Sequence, residues 1–511
     1  MTAGGACRWA CCVAVWLAAL LLVHVGGGNA AVTLRLVQVV HRHGSRAAVV
    51  KYNQTQICGD VPCGQLNEAG RKMLTNAGKF LRERYNVKGA KPFFPSESYD
   101  LEVSYSRSTD VPRTLQSADA FLYGLFPNRT AAFPAIHTVA EASDRILRSD
   151  AIPYARVFYY LDDAWKREVG SPKINELIDS PTLQAVAREA LSEGYCADPA
   201  KLNSCAYSLF DIGTSLEAVG RIDEFPKLKE NLEKLRSYAG FYFRAQFGYN
   251  TSDEVKVKMG SSGQPLMQQF LANAQLHMQG KSTYKLYHYS AHDTTLIPLA
   301  ATLADDGLDA VMPPYAQLYA FELLYDDAAN AYSVRVVRGS PGQTPATNYA
   351  FSLDGFKLRC MGSDGRVYVA KDNTCPYYDL QRFVESSKPT SPEGLCYLSD
   401  HYRDLLSCPA QAGATPNKHC RDYRLACPAF ACGSGHTLDP VAVQCVCSSA
   451  SCMERSAVGG QGASEKRVSA GATAGIAIAC FAVGAILVAC VAVVVVSRRK
   501  NKYAVGQDQS A

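Results

Sequence analysis

The sequence predicts an α/β sandwich interrupted by a helical insertion. Strand-like and helix-like runs alternate from Val32 to Phe126, helical patterns alone fill about residues 140–260, and strand runs resume at Tyr284. Alternation of this kind around one sheet is the pattern of a layered α/β domain.

Taken in order, Val32–Val40 is rich in Val and Leu and bounded by polar residues, so it reads as a mostly buried strand. It runs into His41-Arg42-His43-Gly44-Ser45-Arg46, a basic, turn-like stretch for which a core has little use. Ligand sites of open α/β folds lie at the ends of buried strands. Gly64–Tyr85 sets Leu66, Met73, Leu74, Phe80 and Leu81 among helix formers, which predicts an amphipathic helix. Leu101–Ser108 reads as a strand leaving into a polar turn, and Val111–Phe126 as a helix with Pro112 in its first turn. Within the insertion, the stretch from Pro226 to Phe247 puts Leu228, Leu232 and Leu235 on one helical face. Strands return at Tyr284–Ser290, then in "LYAFELLY" and "YSVRVVRG". The main domain is expected to span residues 31–349.

The ends of the chain predict its topology. Residues 1–30 carry Arg8, an apolar run and small residues before Ala31, the layout of a secretory signal peptide. Residues 470–496 hold no charge, and a helix of that length would reach about 40 Å, more than the roughly 30 Å of a bilayer core. "RRKNK" follows, so the positive-inside rule assigns residues 497–511 to the cytosol and the bulk of the chain to the other side. The expectation is a single-pass type I membrane protein whose catalytic domain faces a lumen, endosomal or lysosomal, or the cell surface. The tail and leader carry most of the net charge of +5. The basic balance therefore reflects topology and gives no argument for nucleic acid.

The 19 cysteines include three in the leader and two in the expected span, which leaves 14, an even number, in an oxidising compartment. Cys58/Cys63 and Cys196/Cys205 are near enough to pair locally. Residues 350–455 form a Cys-rich extension, with eight cysteines between Cys396 and Cys452, and residues 456–469 a polar linker. Disulfides are expected to hold this segment, since it has few large apolar residues. A zinc site is its rival, but Cys-x-x-Cys pairs are absent. Sequons at Asn53, Asn128 and Asn250 are candidate glycosylation sites.

The chemistry concentrates at strand ends. A site for a phosphate monoester needs several fixed cations and a nucleophile converging on one anion. Arg42 and Arg46 offer planar, always-charged forks, and His43 between them offers an imidazole nitrogen able to attack phosphorus. Gly44 would let backbone come close to the anion. Two further strand ends contribute: Tyr105–Thr114, where Arg107 is a third arginine, and Tyr287–Leu296, which ends in His292-Asp293. Read singly, these places are ordinary. Asp293 and Thr294 could cap a helix, Arg107 could pair with Asp110, and a basic pair is commonly a solvated surface. One sheet bringing all three together is the functional argument. His41 reads as incidental.

These motifs, in this order, resemble the histidine acid phosphatases of the histidine phosphatase superfamily, branch 2. The resemblance covers about residues 33–340 and includes "LNEAGRKML", "RSTDVPRTLQSA", "SAHDTTL" and "PPYAQLYAFELLY". It implies a phosphoglycerate-mutase-like sandwich, and the ends of the chain resemble membrane-bound, lysosomal-type acid phosphatases. The Cys-rich extension resembles that of a protozoan, trypanosomatid member. By resemblance, His43 is the nucleophile and forms a phosphohistidine, while Arg42, Arg46, Arg107 and His292 bind the phosphate oxygens. Asp293 protonates the leaving alcohol. Substrates would be small phosphomonoesters or phosphoproteins, no cofactor or metal would be required, and a homodimer is an expected assembly. The chain departs from the family pattern at Ala48, where proline is usual, which removes a φ constraint from the loop.

Such a site should favour acid. Asp293 must hold a proton to donate it, whereas His43 must be free, and reference pKa values of about 3.9 and about 6.5 are in the wrong order. Neighbouring arginines favour a neutral His43, and the bound phosphate favours a proton on Asp293. The rival readings are a phytase-like inositol-phosphate phosphatase, which would want a strongly basic pocket, and an inactive surface adhesion or receptor protein on the same scaffold.

Overall fold

The computed structural model describes residues 32–449, except 52, 89–90, 131–132, 149, 151–161, 192–193, 306–311 and 410–415. The expected leader (1–30) and membrane span (470–496) lie outside these residues. No helix among the described residues is long and apolar enough to cross a membrane.

A mixed eight-stranded sheet organises the chain, with strand order β10-β6-β5-β1-β4-β2-β3 and β7 paired to β6. The strands are β1 (Val32–Arg42), β2 (Ser104–Ser108), β3 (Ile136–His137), β4 (Leu286–Ala291), β5 (Leu318–Asp326), β6 (Ala331–Pro341), β7 (Phe351–Leu353) and β10 (Thr374–Pro376). A separate hairpin holds β8 (Arg359–Met361) and β9 (Val367–Val369). β1, β4 and β2 are mutually parallel, whereas β5, β6, β7 and β10 run antiparallel to their neighbours. Parallel pairing points the C-terminal ends of β1, β4 and β2 toward one edge, and all three candidate motifs follow those ends.

Period-two alternation on β1 sorts side chains to two cores. Val37 and Val39 pack beneath α1 (Glu68–Tyr85) and α2 (Pro112–Leu125), with Leu74, Leu81, Phe121 and Leu286. Leu36 and Val40 face the opposite layer with Phe270, Tyr289, Leu299 and Tyr377. The insertion builds a third core around α3 (Leu202–Ala218) and α4 (Pro226–Phe247), where Leu228, Leu232 and Leu235 are buried as the spacing predicts. α1 starts at Glu68, later than expected, because the Asn67 side chain caps it by accepting the Gly70 N–H at 2.9 Å.

The expected boundary at residue 349 falls inside the sheet. β7 and β10 both pair with β6, and Cys360 and Cys375, joined in a disulfide, are fully buried in the second core. Sulfur and scattered aromatics here replace the apolar runs that mark the earlier strands. Disulfides Cys58–Cys63 and Cys196–Cys205 form as their spacing suggests. Cys396–Cys427, Cys408–Cys420 and Cys432–Cys445 staple the extension around a small core with Leu406 and Tyr423. Asn53 and Asn250 are exposed, while Asn128 is half-buried.

Candidate active site

β1 runs on to Arg42, and His43 lies just beyond it, where its N–H donates to the carbonyl of Ala291 at the end of β4. Gly44 then passes so close to α1 that a Cβ there would lie 2.3 Å from the Gly70 carbonyl oxygen. This close approach, rather than an anion-binding nest, accounts for glycine at the position. Gly44→Ala is expected to force α1 and the nucleophile loop apart. The cost should be about 1–3 kcal/mol of stability, seen as a lower Tm, with a fall in turnover measured on the same sample.

The loop carrying Ala48 is held by other means than a proline ring. Ala48 is fully buried against the insertion, and the Gly64 N–H donates to its carbonyl. The Val49 N–H donates to Asp211 Oδ2 at 2.8 Å, and the Cys58–Cys63 bridge closes the segment between. The loop is therefore tied at both sides of the missing proline.

A cavity of about 470 Å³ opens at this edge of the sheet, lined by His43, Arg46, Arg113, Arg148, His292 and Asp293 among others. His43 Nδ1 lies 2.8 Å from the Gly44 carbonyl oxygen. A carbonyl only accepts, so Nδ1 carries the proton and Nε2 keeps its lone pair. Burial first, then the charges of Arg113, Arg42 and Arg46, hold the His43 pKa well below its usual value. Both influences favour the neutral imidazole.

Arg46 is clamped two-pronged on Asp211 of α3, at 2.7 and 3.2 Å. Burial alone would raise the Asp211 carboxyl and weaken the Arg46 charge, but their mutual attraction outweighs it, so Asp211 is lowered and Arg46 raised. Arg42 donates to Asp293 Oδ2 at 2.7 Å and to the Pro313 carbonyl, with its guanidinium 4.4 Å from the centre of the Tyr315 ring. Asp293 starts α5 (Asp293–Leu303), and its Oδ1 accepts the Thr294 N–H.

His292 packs edge-on to His43, ring centres 5.5 Å apart. Its Nε2 lies 2.9 Å from Thr109 Oγ1, which lies 2.7 Å from Thr114 Oγ1. The Thr114 hydroxyl proton points to the carbonyls of Val111 and Thr109, so Thr114 accepts from Thr109 and Thr109 accepts from His292. The relay fixes the proton on His292 Nε2. Burial, Arg113 and Arg148 lead the influences that hold this imidazole neutral in the free site.

The structure brings His43, Arg42, Arg46, His292 and Asp293 together, but not Arg107. On β2, Arg107 is turned away and pairs with Asp144, a fully buried carboxylate that also accepts the N–H groups of Ile146 and Leu147. The third arginine at the cavity is Arg113, in the first turn of α2. It has no hydrogen-bond or ion-pair partner among the described residues. Burial and the nearby Arg46 lower its pKa to about 10, outweighing the attraction of Asp293 and Asp211. Arg107 sits in the same "RSTDVPRT" stretch and ends the strand, whereas Arg113 is reached only after the helix turns back over the cavity. Arg148, held by Glu141 and Asp150, and the α3 residue Asp211 also escape the sequence reading. For Asp211, the one available signal is a lone carboxylate in the apolar run "SLFDIG".

Comparison with known proteins agrees with this geometry. Residues 33–338 match the histidine phosphatase superfamily (branch 2). The chain is 31% identical over 347 residues to lysosomal acid phosphatase of Xenopus laevis, covering 64% of this chain and 74% of that one. It is 28% identical over 407 residues to the Homo sapiens lysosomal acid phosphatase, covering 75% and 86%. Rattus norvegicus prostatic acid phosphatase matches at 28% over 377 residues, covering 70% and 87%. Among solved structures, the phytase of Citrobacter braakii has the same fold, with TM-score 0.53 and 17% identity over 69% of this chain and 97% of that one. With a family match that runs from β1 into β6 and takes in all three strand-end motifs, the chain belongs to branch 2 of the histidine phosphatase superfamily.

Proposed function

We infer that the protein is an acid phosphatase that hydrolyses phosphate monoesters through a phosphohistidine. The observation that carries this is His43, held toward its neutral form and with Nε2 free, in a cavity beside Arg46, Arg113 and His292. His43 Nε2 attacks phosphorus, the P–O bond to the alcohol breaks, and protonated Asp293 gives its proton to the leaving oxygen. Water then attacks the phosphohistidine, returns a proton to Asp293 and releases inorganic phosphate. Arg42, Arg46 and Arg113 hold the phosphate oxygens. With His292 Nε2 committed to Thr109, its Nδ1 donates to phosphate only as the imidazolium, which the incoming anion favours.

Charge balance in the cavity favours monoesters over inositol polyphosphates. Most of the positive charge is already answered, Arg46 by Asp211, Arg148 by Asp150 and Arg42 by Asp293, so one phosphate finds a site and several would not. Tyr207 and Phe243 from the insertion give the leaving group an apolar wall. The full complement of reactive side chains argues against an inactive adhesion scaffold.

The names of the relatives, the apolar leader and the uncharged stretch at 470–496 support a lumenal enzyme of the secretory and lysosomal route, anchored by one C-terminal span and glycosylated at Asn53, Asn128 and Asn250. The test is hydrolysis of p-nitrophenyl phosphate and of phytate from pH 4 to 8 by the full-length chain. An acid optimum with p-nitrophenyl phosphate strongly preferred is expected. A flat or alkaline profile sinks the acid mechanism, and preference for phytate sinks the monoester reading.

A further inference from the structure

Two buried histidines that the phosphatase chemistry does not use lie directly behind the nucleophile. His41 on β1 and His288 on β4 have no solvent exposure, and their Nε2 atoms are 2.8 Å apart. His41 Nδ1 lies 2.9 Å from the Arg42 carbonyl oxygen, and His288 Nδ1 lies 2.7 Å from the Ser106 hydroxyl on β2. The hydrogen bonds follow from what each atom can do. The carbonyl only accepts, so His41 Nδ1 holds a proton and, in a neutral ring, its Nε2 accepts from His288 Nε2–H. His288 Nδ1 is then bare and accepts from Ser106. The chain Ser106 to His288 to His41 to the Arg42 carbonyl satisfies every nitrogen with both rings neutral.

Its last link falls where the reaction needs rigidity. The Arg42 carbonyl and the His43 N–H belong to one planar peptide unit. His41 holds the oxygen edge of that plane, and the Ala291 carbonyl, next to His292, holds the nitrogen edge at 2.9 Å. Phe121 of α2 covers the pair, stacked 4.6 Å from His288 and tilted 5.1 Å from His41. We propose that the Ser106–His288–His41 chain positions the Arg42–His43 peptide, which makes His41 and His288 positioning residues for the nucleophile.

The surroundings keep the pair neutral in the acid range. Burial dominates both rings: against it His41 has only the Arg42 carbonyl, while His288 has only His41, which adds to the lowering. His41 is pushed down to about 4, and His288 lies well below its usual value. The unfolded chain takes up these protons near pH 6.5 and the folded chain does not. The pair therefore costs no stability above that pH and an increasing amount as pH falls from 6.5 toward 4. An apolar pair would carry no such cost.

The test uses the full-length chain and the variants His41→Phe, His288→Leu, the double variant and Ser106→Ala. The kinetic arm rests on the phosphatase reading; the stability arm does not. Each single histidine variant strands a buried polar atom, so Tm and kcat should both fall, kcat by about tenfold with little change in KM. The double variant strands no ring nitrogen, so its Tm should fall no further than that of the singles, while kcat stays about tenfold down, because nothing then grips the Arg42 carbonyl. Its loss of Tm between pH 6.5 and 4 should be smaller than that of the wild type, since two buried neutral histidines are gone. Ser106→Ala, the mildest change, should fold and lower kcat severalfold. A double variant with kcat restored overturns the proposal, as do singles or Ser106→Ala with wild-type kcat. Equal acid-side loss of Tm in wild type and double variant overturns the neutral pair, and this arm reads out even if the wild type proves inactive, a result that would sink the phosphatase reading alone.

Discussion

His43→Ala is expected to lower p-nitrophenyl phosphate turnover at pH 5 by at least about 10⁴-fold, in a chain that still folds. Among the described residues no other group is placed to replace it: His292 is committed through Nε2 to Thr109. The loss should fall on kcat, because the arginines that hold the anion remain. Stability should move the other way. The His43 pKa is held well below its usual value, so the wild-type fold takes up fewer protons than the unfolded chain as pH falls below about 6.5. Removing the imidazole removes that penalty, and the variant should lose less Tm between pH 7 and 5 than the wild type does. Quenching with labelled substrate gives the direct check. Wild-type protein should retain phosphate that is stable in base and labile in acid, and the variant should retain none. Turnover within about a hundredfold of wild type in the variant would remove His43 from the nucleophile's role.

The site residues legible in the sequence are those that sit at ends of strands. Apolar runs locate β1 and β4, parallel strands bring their C-terminal ends to one edge, and Arg42, His43, Arg46, His292 and Asp293 follow from that edge. Alternation along β1 also puts His41 on the buried face of Val37 and Val39, but nothing local reveals His288 as its partner 247 residues away. The sheet strands after residue 350 are three residues long and held by the Cys360–Cys375 bridge, too short for period two to mark them. Asp211 and Arg148 come from segments whose only local signal is helical or none. Their roles depend on how the insertion folds back over the strand ends, a tertiary fact that spacing does not carry.

The two arginines of "RSTDVPRT" separate the local reading from the folded one, and their variants should differ in kind. Arg113→Ala is expected to cut kcat/KM by about 10²–10³-fold, the range for loss of one fixed donor to a developing anion, and to weaken inhibition by inorganic phosphate in step. Its stability should hold or rise. Arg113 forms no ion pair among the described residues, and burial and the nearby Arg46 outweigh the attraction of Asp293 and Asp211, so its removal relieves a net cost in the free enzyme. Arg107→Ala should do the opposite. It leaves Asp144 buried with only backbone N–H partners, which is expected to cost about 3–5 kcal/mol, seen as a lower Tm at pH 6. Acidification should narrow that gap, because protonating the stranded carboxylate removes the uncompensated charge. Activity per folded molecule should stay near wild type, with any rise in KM traced to Arg148, which the Asp144 turn carries to the cavity. If Arg107→Ala loses activity with Tm intact while Arg113→Ala keeps both, the strand-end arginine binds phosphate after all, and β2 must rotate its side chain to the other face of the sheet when substrate enters.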